Sequence, residues 1–174
     1  MKKLIFILLL AMPLTGYTQY LDGFWGLKFY MNEQNVKDMV KMRTGKMPEE
    51  GSGIALLAYK NCNFGSYKAY LVQLVFQGDQ LYGGDIFISP GQDNVLNAYN
   101  EIVDEISQKY KQPVIEKDMN GFTATWSPAT ASKNSARPKI AASIDNNVIR
   151  ITYRDGQIYN QLLSSIKSYS SSDY

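Results

Sequence analysis

The spacing of apolar residues divides the chain into helical and extended stretches. In residues 93–110, apolar side chains recur every three or four positions, which places them along one face of a helix. Asn32 can cap a shorter helix that ends at Gly45, since asparagine is favoured before the first turn and glycine after the last. Residues 158–169 carry the same spacing, so the sequence predicts three helices.

Other stretches are extended, because their apolar residues alternate with polar ones or run continuously between turn residues. These predicted strands cover residues 54–59, 67–77, 81–88, 114–116, 122–126, 140–144 and 149–153. Gly78-Asp79 and Asn146-Asn147 predict tight turns between antiparallel neighbours, and residues 61–66 predict another turn.

This order of elements predicts an α+β fold. A helix followed by three strands is repeated as a helix followed by three or four strands, and a last helix ends the chain. Consecutive hairpins favour an antiparallel sheet, built from two pseudo-repeated units, with the helices packed on one face. We expect a signal peptide over residues 1–18, one domain over residues 19–169 and a flexible tail over residues 170–174.

The first half of the predicted sheet is apolar on both faces. Alternate residues from 70 to 76 form one apolar face, while Leu71 and Val75 point to the other. Phe87 behaves in the same way on the following strand. Such a sheet is either covered on both sides by other parts of the chain or offers a sticky surface. The second possibility predicts a partner surface centred on Leu71, Val75 and Phe87.

The N-terminus has the pattern of a secretory signal. Lys2 and Lys3 precede an apolar run over residues 4–12, which is shorter than the span of about 20 residues that a membrane helix needs. Cleavage after Thr18, or a residue or two away, would leave Gln19 as the first residue. No cysteine lies nearby, so we expect a soluble periplasmic or extracellular protein and not a lipoprotein. The alternative is a buried N-terminal helix of a cytosolic protein.

The amino-acid composition limits the partners and the kinds of catalysis that we expect for this protein. The chain has 18 basic and 16 acidic side chains; without Lys2 and Lys3, sixteen of each remain, and such a balance argues against a nucleic-acid partner. The absence of histidine excludes Ser-His-Asp and Cys-His catalysis and histidine-ligated metals. We expect no metal and no cofactor. The single cysteine, Cys62, is interpreted as a partly buried small apolar residue, with a free surface thiol as the alternative.

Asp85 is the acid that stands out, because it lies inside a predicted strand after two glycines. As a catalytic carboxylate it would suit a glycoside hydrolase, although no catalytic motif accompanies it. The simpler interpretation is a charge on an edge strand that discourages aggregation.

Residues 24–45, an aromatic strand with glycines that leads into a short helix, resemble part of many small exported bacterial proteins of unknown function. The element order is similar to the fold shared by β-lactamase-inhibitor-like proteins and the small lipoprotein of the outer-membrane assembly machine. That resemblance implies the same fold over most of the domain. It implies neither membrane anchoring, since the lipoprotein cysteine is missing, nor any functional residue.

The sequence therefore predicts a non-enzymatic protein of the cell envelope that binds another protein or an envelope component through its sheet. Aromatic residues make up 13% of the chain, and tyrosine and tryptophan are favoured where one end is apolar and the other is wet. A glycan or peptidoglycan-fragment binder that uses exposed aromatics, Trp25 among them, is the alternative. A carboxylate-based hydrolase that uses Asp85 is the third possibility.

Overall fold

The computed structural model describes residues 20–49, 56–118, 121–128 and 136–170. The predicted signal peptide and most of the tail lie outside these residues. The helices and strands are β1 (Gly23–Phe24), β2 (Leu27–Lys28), α1 (Glu33–Thr44), β3 (Leu56–Phe64), β4 (Tyr67–Gln77), β5 (Gln80–Ile88), α2 (Val95–Tyr110), β6 (Val114–Asp118), β7 (Gly121–Trp126), β8 (Lys139–Asp145), β9 (Val148–Arg154) and α3 (Gly156–Ser170).

Seven strands form one antiparallel sheet in the order β3-β4-β5-β9-β8-β7-β6. The two predicted units each contribute a run of hairpins, and they join where β5 pairs with β9. The last strand of the chain therefore lies near the middle of the sheet, beside the last strand of the first unit. This arrangement confirms the predicted α+β class.

The main core lies on one face of the sheet, between the strands and two helices. Val36 and Val40 of α1 and the apolar stripe of α2 are buried against alternate residues of the strands. Helix α3 begins at a cap formed by Asp155, whose carboxylate accepts from the backbone N–H groups of Gln157 and Ile158. No helix in the part of the chain that the structure describes is long and apolar enough to cross a membrane.

Two local predictions for β3 and β4 are wrong. Strand β3 continues to Phe64, through most of the predicted turn over residues 61–66, because Asn61 accommodates a positive φ of 54° within the strand. In β4, Tyr70 is the extra residue of a bulge opposite β5, and the bulge shifts the alternation of faces by one position. Tyr70 is consequently 41% exposed, whereas the pattern placed it in the core.

A short hairpin before α1 fills the core face beside both helices. Its strands β1 and β2 are joined by Trp25 and Gly26. Both residues have positive φ, as the type I′ turn of a two-residue hairpin loop requires. Phe24 stacks on Tyr153 with ring centroids 5.2 Å apart, and its ring also lies against Gly84, where a larger residue would collide with it. Docking of Phe24 fixes where the neighbouring Trp25 must lie.

Candidate functional site

Trp25 is held from several sides. Its Nε1 donates to the carbonyl of Asn63 at 3.1 Å, and its own carbonyl accepts from Nη1 of Arg43 at 2.6 Å. The Arg43 guanidinium lies 5.8 Å from the indole centroid, and the Tyr59 ring lies 6.0 Å away. The φ of Trp25 is 48°, a conformation that bulky residues rarely adopt and that concentrates at functional sites. Contacts from α1 and β3 therefore fix a half-exposed indole in an unfavourable backbone conformation.

A cavity of about 220 Å³, here called the aromatic cavity, lies between the hairpin and α2. Five of its lining residues are aromatic and two are isoleucines: Phe24, Trp25, Phe64, Tyr110, Tyr153, Ile102 and Ile106. Small-molecule sites are typically apolar concave surfaces with a few polar groups that orient the ligand. The aromatic cavity has this character.

Its polar groups come from α2. Glu105 and Lys109 line the cavity one helical turn apart, and the Lys109 ammonium lies 5.3 Å from the centroid of the Tyr110 ring. Among the residues that the structure describes, neither side chain forms an ion pair. The carboxylate can therefore accept, and the ammonium can donate, hydrogen bonds to a bound molecule.

A second cavity of about 340 Å³, here called the cationic cavity, shares Trp25 with the first. It lies between the end of α1 and β3, and its lining residues are Trp25, Arg43, Thr44, Lys46, Asn61, Cys62 and Asn63. In the described part of the chain, no carboxylate lies within salt-bridge distance of Arg43 or Lys46. Among the described residues, the two positive charges therefore line the cavity without a counterion.

The two buried nucleophilic groups near this site are held in their neutral forms. Burial raises the pKa of the Cys62 thiol, and the positive charge of Lys46 opposes that rise. Cys62 is 1% exposed, which confirms that it is a buried small residue. Burial also raises the pKa of Tyr59 to about 12, with smaller contributions from Cys62 and Glu33. Neither group is an activated nucleophile at neutral pH.

Asp85 is not on an edge strand, because β5 lies between β4 and β9. It points to the sheet face opposite the helices and is 4% exposed. Its Oδ1 accepts from Thr152 at 2.7 Å and from Nε of Arg150 at 3.1 Å, and its Oδ2 accepts from Arg154 at 2.8 Å. These hydrogen bonds link β5 to β9, so Asp85 has a structural role. It lines neither of the two cavities.

Leu71, Val75 and Phe87 also lie on the face opposite the helices, and all three are half-buried. Leu71 and Phe87 are direct cross-strand partners, and the exposed Tyr70 ring lies 6.1 Å from that of Phe87. Val75 lies farther along β4, beyond the row in which Gln73 pairs with Asp85. The structure therefore brings Leu71 and Phe87 together and separates Val75 from them by polar side chains.

The sequence predicted Trp25 as a binding residue but predicted no role in binding for the charged residues around it. Arg43 and Lys46 flank the glycine that ends α1, whereas Glu105 and Lys109 lie on the predicted polar side of α2. Such charges are ordinary at the end and on the exposed face of a helix. Their common orientation toward the N-terminal hairpin arises from long-range packing, which no local pattern encodes.

Comparison with known proteins identified no relative of this chain. It matches no protein-family model, and no curated protein or solved structure is detectably similar to it. The resemblance in element order to the β-lactamase-inhibitor-like fold stays a prediction. Function is argued below from the residues of the site, since a fold by itself does not specify an activity.

Proposed function

We propose that this protein is an exported, non-catalytic binding protein that takes a glycan or peptidoglycan fragment at Trp25. The observation that carries the proposal is the fixed, half-exposed indole lining two adjoining cavities. Its Nε1–H is already donated to Asn63, so Trp25 offers a ligand ring surface and not a hydrogen bond. A preorganised aromatic ring lowers the entropic cost of binding.

A sugar ring suits the chemistry of the aromatic cavity. Pyranose rings present apolar C–H faces, which pack on aromatic side chains, and hydroxyl groups at their edges, which need polar partners. Glu105 and Lys109 supply an acceptor and a donor at the cavity wall. The volume of about 220 Å³ is below the range of about 300–1,000 Å³ typical of drug-sized ligands, so it favours a single ring.

Tryptophan fluorescence tests this proposal. Trp126 is 1% exposed, so a ligand at the surface should perturb the emission of Trp25 and leave that of Trp126 nearly unchanged. We expect N-acetylglucosamine at millimolar concentration to change the emission of the wild type and of the Trp126→Phe variant. The Trp25→Leu variant, checked for folding by circular dichroism, should give no change.

Equal responses from the Trp25→Leu variant and the wild type would contradict the proposed site, and so would a flat titration of the wild type. The Glu105→Gln variant provides a finer measurement within the same cavity. We expect its affinity to fall about fivefold, because a neutral amide is a weaker acceptor for a sugar hydroxyl than a carboxylate is.

A protein partner bound through the sheet is the second candidate. The adjacent pair of Leu71 and Phe87, with the exposed Tyr70 ring beside it, supports this function. In-cell crosslinking of the tagged protein would identify the partner, and the Leu71→Asp variant should lose the crosslink while it stays folded. Lys68→Asp, on the same strand, is the matched control. If Leu71→Asp unfolds the protein, this face is part of the core and the candidate fails.

A further inference from the structure

We infer that the cationic cavity binds a carboxylate carried by the same ligand, so that the preferred ligand is an acidic amino sugar. The inference rests on the proposed function for the position of the sugar ring, since Trp25 is common to both cavities. The cationic cavity, of about 340 Å³, adds enough space to the aromatic one to reach the range of small-molecule sites.

Arg43 is directed into this region by contacts that do not belong to its own helix. Near the end of α1, Thr44 Oγ1 donates to the carbonyl of Val40, and the Gly45 N–H donates to the carbonyl of Lys41. The guanidinium of Arg43 instead reaches the carbonyl of Trp25 and lies over its ring. The hydrogen bond of Arg43 is thus made to the N-terminal hairpin and not to a carbonyl of its own helix.

The charge at Arg43 remains available to a ligand. A guanidinium has five N–H donors, and toward the described part of the chain Arg43 uses one of them, from Nη1 to the Trp25 carbonyl. Its planar fork matches the two oxygens of a carboxylate, which is the geometry of the strongest side-chain recognition of that group.

Lys46 adds a second positive charge to the cationic cavity from beyond the end of α1. It follows Gly45, whose left-handed backbone with φ of 69° turns the chain away from the axis of α1. Lys46 lines the cavity together with Cys62 of β3, and its positive charge opposes the burial-induced rise in the pKa of that thiol. Arg43 and Lys46 thus line one cavity from two segments, and Asn61 and Asn63 line it as neutral polar residues.

The sharpest test compares two sugars that differ in one acidic group. N-acetylmuramic acid is N-acetylglucosamine with a lactyl ether that ends in a carboxylate. By NMR titration, we expect the wild type to bind the acidic sugar about fivefold more tightly, a ratio typical of one partly exposed charge pair. The Lys46→Gln variant should reduce the ratio to about one, and the Lys41→Gln variant, altered in the last turn of α1 but outside the cavity, should keep it.

Arg43→Gln is the second variant, and it should weaken binding of both sugars because Arg43 also fixes Trp25. Equal affinities for the two sugars in the wild type would overturn the carboxylate site and leave the aromatic site standing. If the acidic sugar still binds to Trp25→Leu but no longer binds to Lys46→Gln, the aromatic site is overturned and the carboxylate site stands. If neither sugar shifts any resonance, both the proposed function and this inference are overturned.

Discussion

At the scale of single residues, Asp85 combines burial with charge. A carboxylate that is 4% exposed requires compensation, and it receives two guanidiniums and a hydroxyl from β9. Arg154 is itself 14% exposed and also donates to the backbone carbonyls of Gly84 and Tyr153. Arg154 therefore depends on Asp85 for its counterion, whereas Arg150 is 49% exposed and can be hydrated.

We predict that Asp85→Asn lowers the free energy of unfolding by about 2–3 kcal/mol, because it leaves Arg154 without a full counterion in a buried position. Urea unfolding followed by circular dichroism measures this change. Lys60→Gln is the control, since its ion pair with Glu49 is largely exposed and should contribute less than about 0.5 kcal/mol. Similar small losses for both variants would show that the Asp85 network is not structural.

Tyr59 gives the opposite case of a buried polar atom without compensation. Its side chain is fully buried, and its hydroxyl has no hydrogen-bond partner among the described residues. We predict that Tyr59→Phe raises the free energy of unfolding by about 1 kcal/mol, because it removes an unsatisfied group and keeps the ring. Tyr99→Phe is the matched control: its hydroxyl donates to Ala142 at 3.4 Å, so thermal melts should show a small loss. A loss from Tyr59→Phe would disprove this account.

At the scale of elements, the N-terminal hairpin depends on the absence of a side chain in β5. A Cβ at Gly84 would collide with the Phe24 ring and with the carbonyl oxygen of Gln73. The hairpin therefore packs closely on a central strand, and this contact carries Trp25 into place. Stability and binding should consequently respond together to a change at this position.

We predict that Gly84→Ala lowers the free energy of unfolding by about 2–3 kcal/mol and weakens sugar binding, because the added methyl displaces Phe24. Gly78→Ala is the control: Gly78 has φ of 59° and open space around it, so the cost is backbone strain of about 1 kcal/mol. Denaturant titrations and the fluorescence assay measure both effects. Equal losses from the two variants, with unchanged binding, would contradict the role given to Gly84.

A second contact between elements should be sensitive to alkaline pH. The Tyr67 hydroxyl of β4 donates to the carboxylate of Glu101 on α2, and this bond, with burial and nearby carboxylates, raises the pKa of Tyr67 to about 12. The folded state then holds the phenolic proton more tightly than the unfolded state, whose pKa is about 10. The stabilisation is complete below pH 10 and is lost as the pH rises through about 12.

We therefore expect the wild type to melt at a higher temperature than Tyr67→Phe at pH 9. This difference should shrink steadily as the pH rises from 10 to 12. The difference in melting temperature between wild type and Glu101→Gln should shrink over the same pH range, since this variant weakens the same hydrogen bond from the acceptor side. A difference that stays constant over this pH range would contradict the contact.

At the scale of the whole molecule, the predicted signal peptide determines the net charge that we expect of the mature chain. The predicted signal peptide contains Lys2 and Lys3, so the chain from Gln19 onward has sixteen basic and sixteen acidic side chains. We predict that the exported protein begins at or within two residues of Gln19 and focuses near neutral pH. Mass spectrometry and isoelectric focusing of the secreted fraction would test this. A full-length chain in the cytosol would contradict the prediction.

Local rules accounted for much of the fold. The cap at Asn32, the end of α1 at Gly45 and the turns at residues 78–79 and 146–147 were all predictable, because each depends on the backbone preferences of a few adjacent residues. The buried alternation of β9 followed directly from its sequence for the same reason. Tyr70 was misplaced because a bulge depends on the partner strand as well as on its own.

The sequence by itself predicted the class of the elements and their order, and its lack of histidine excluded catalysis and metal binding by that residue. The tertiary structure alone decided that β5 and β9 meet, which buried Asp85, and that Trp25 lies beside charges from α1 and α2. Helices and turns are set by interactions a few residues apart, whereas strand partners and cavities depend on packing between segments far apart in the chain. Many pairings satisfy the same alternating pattern, and the complete set of side chains selects one of them.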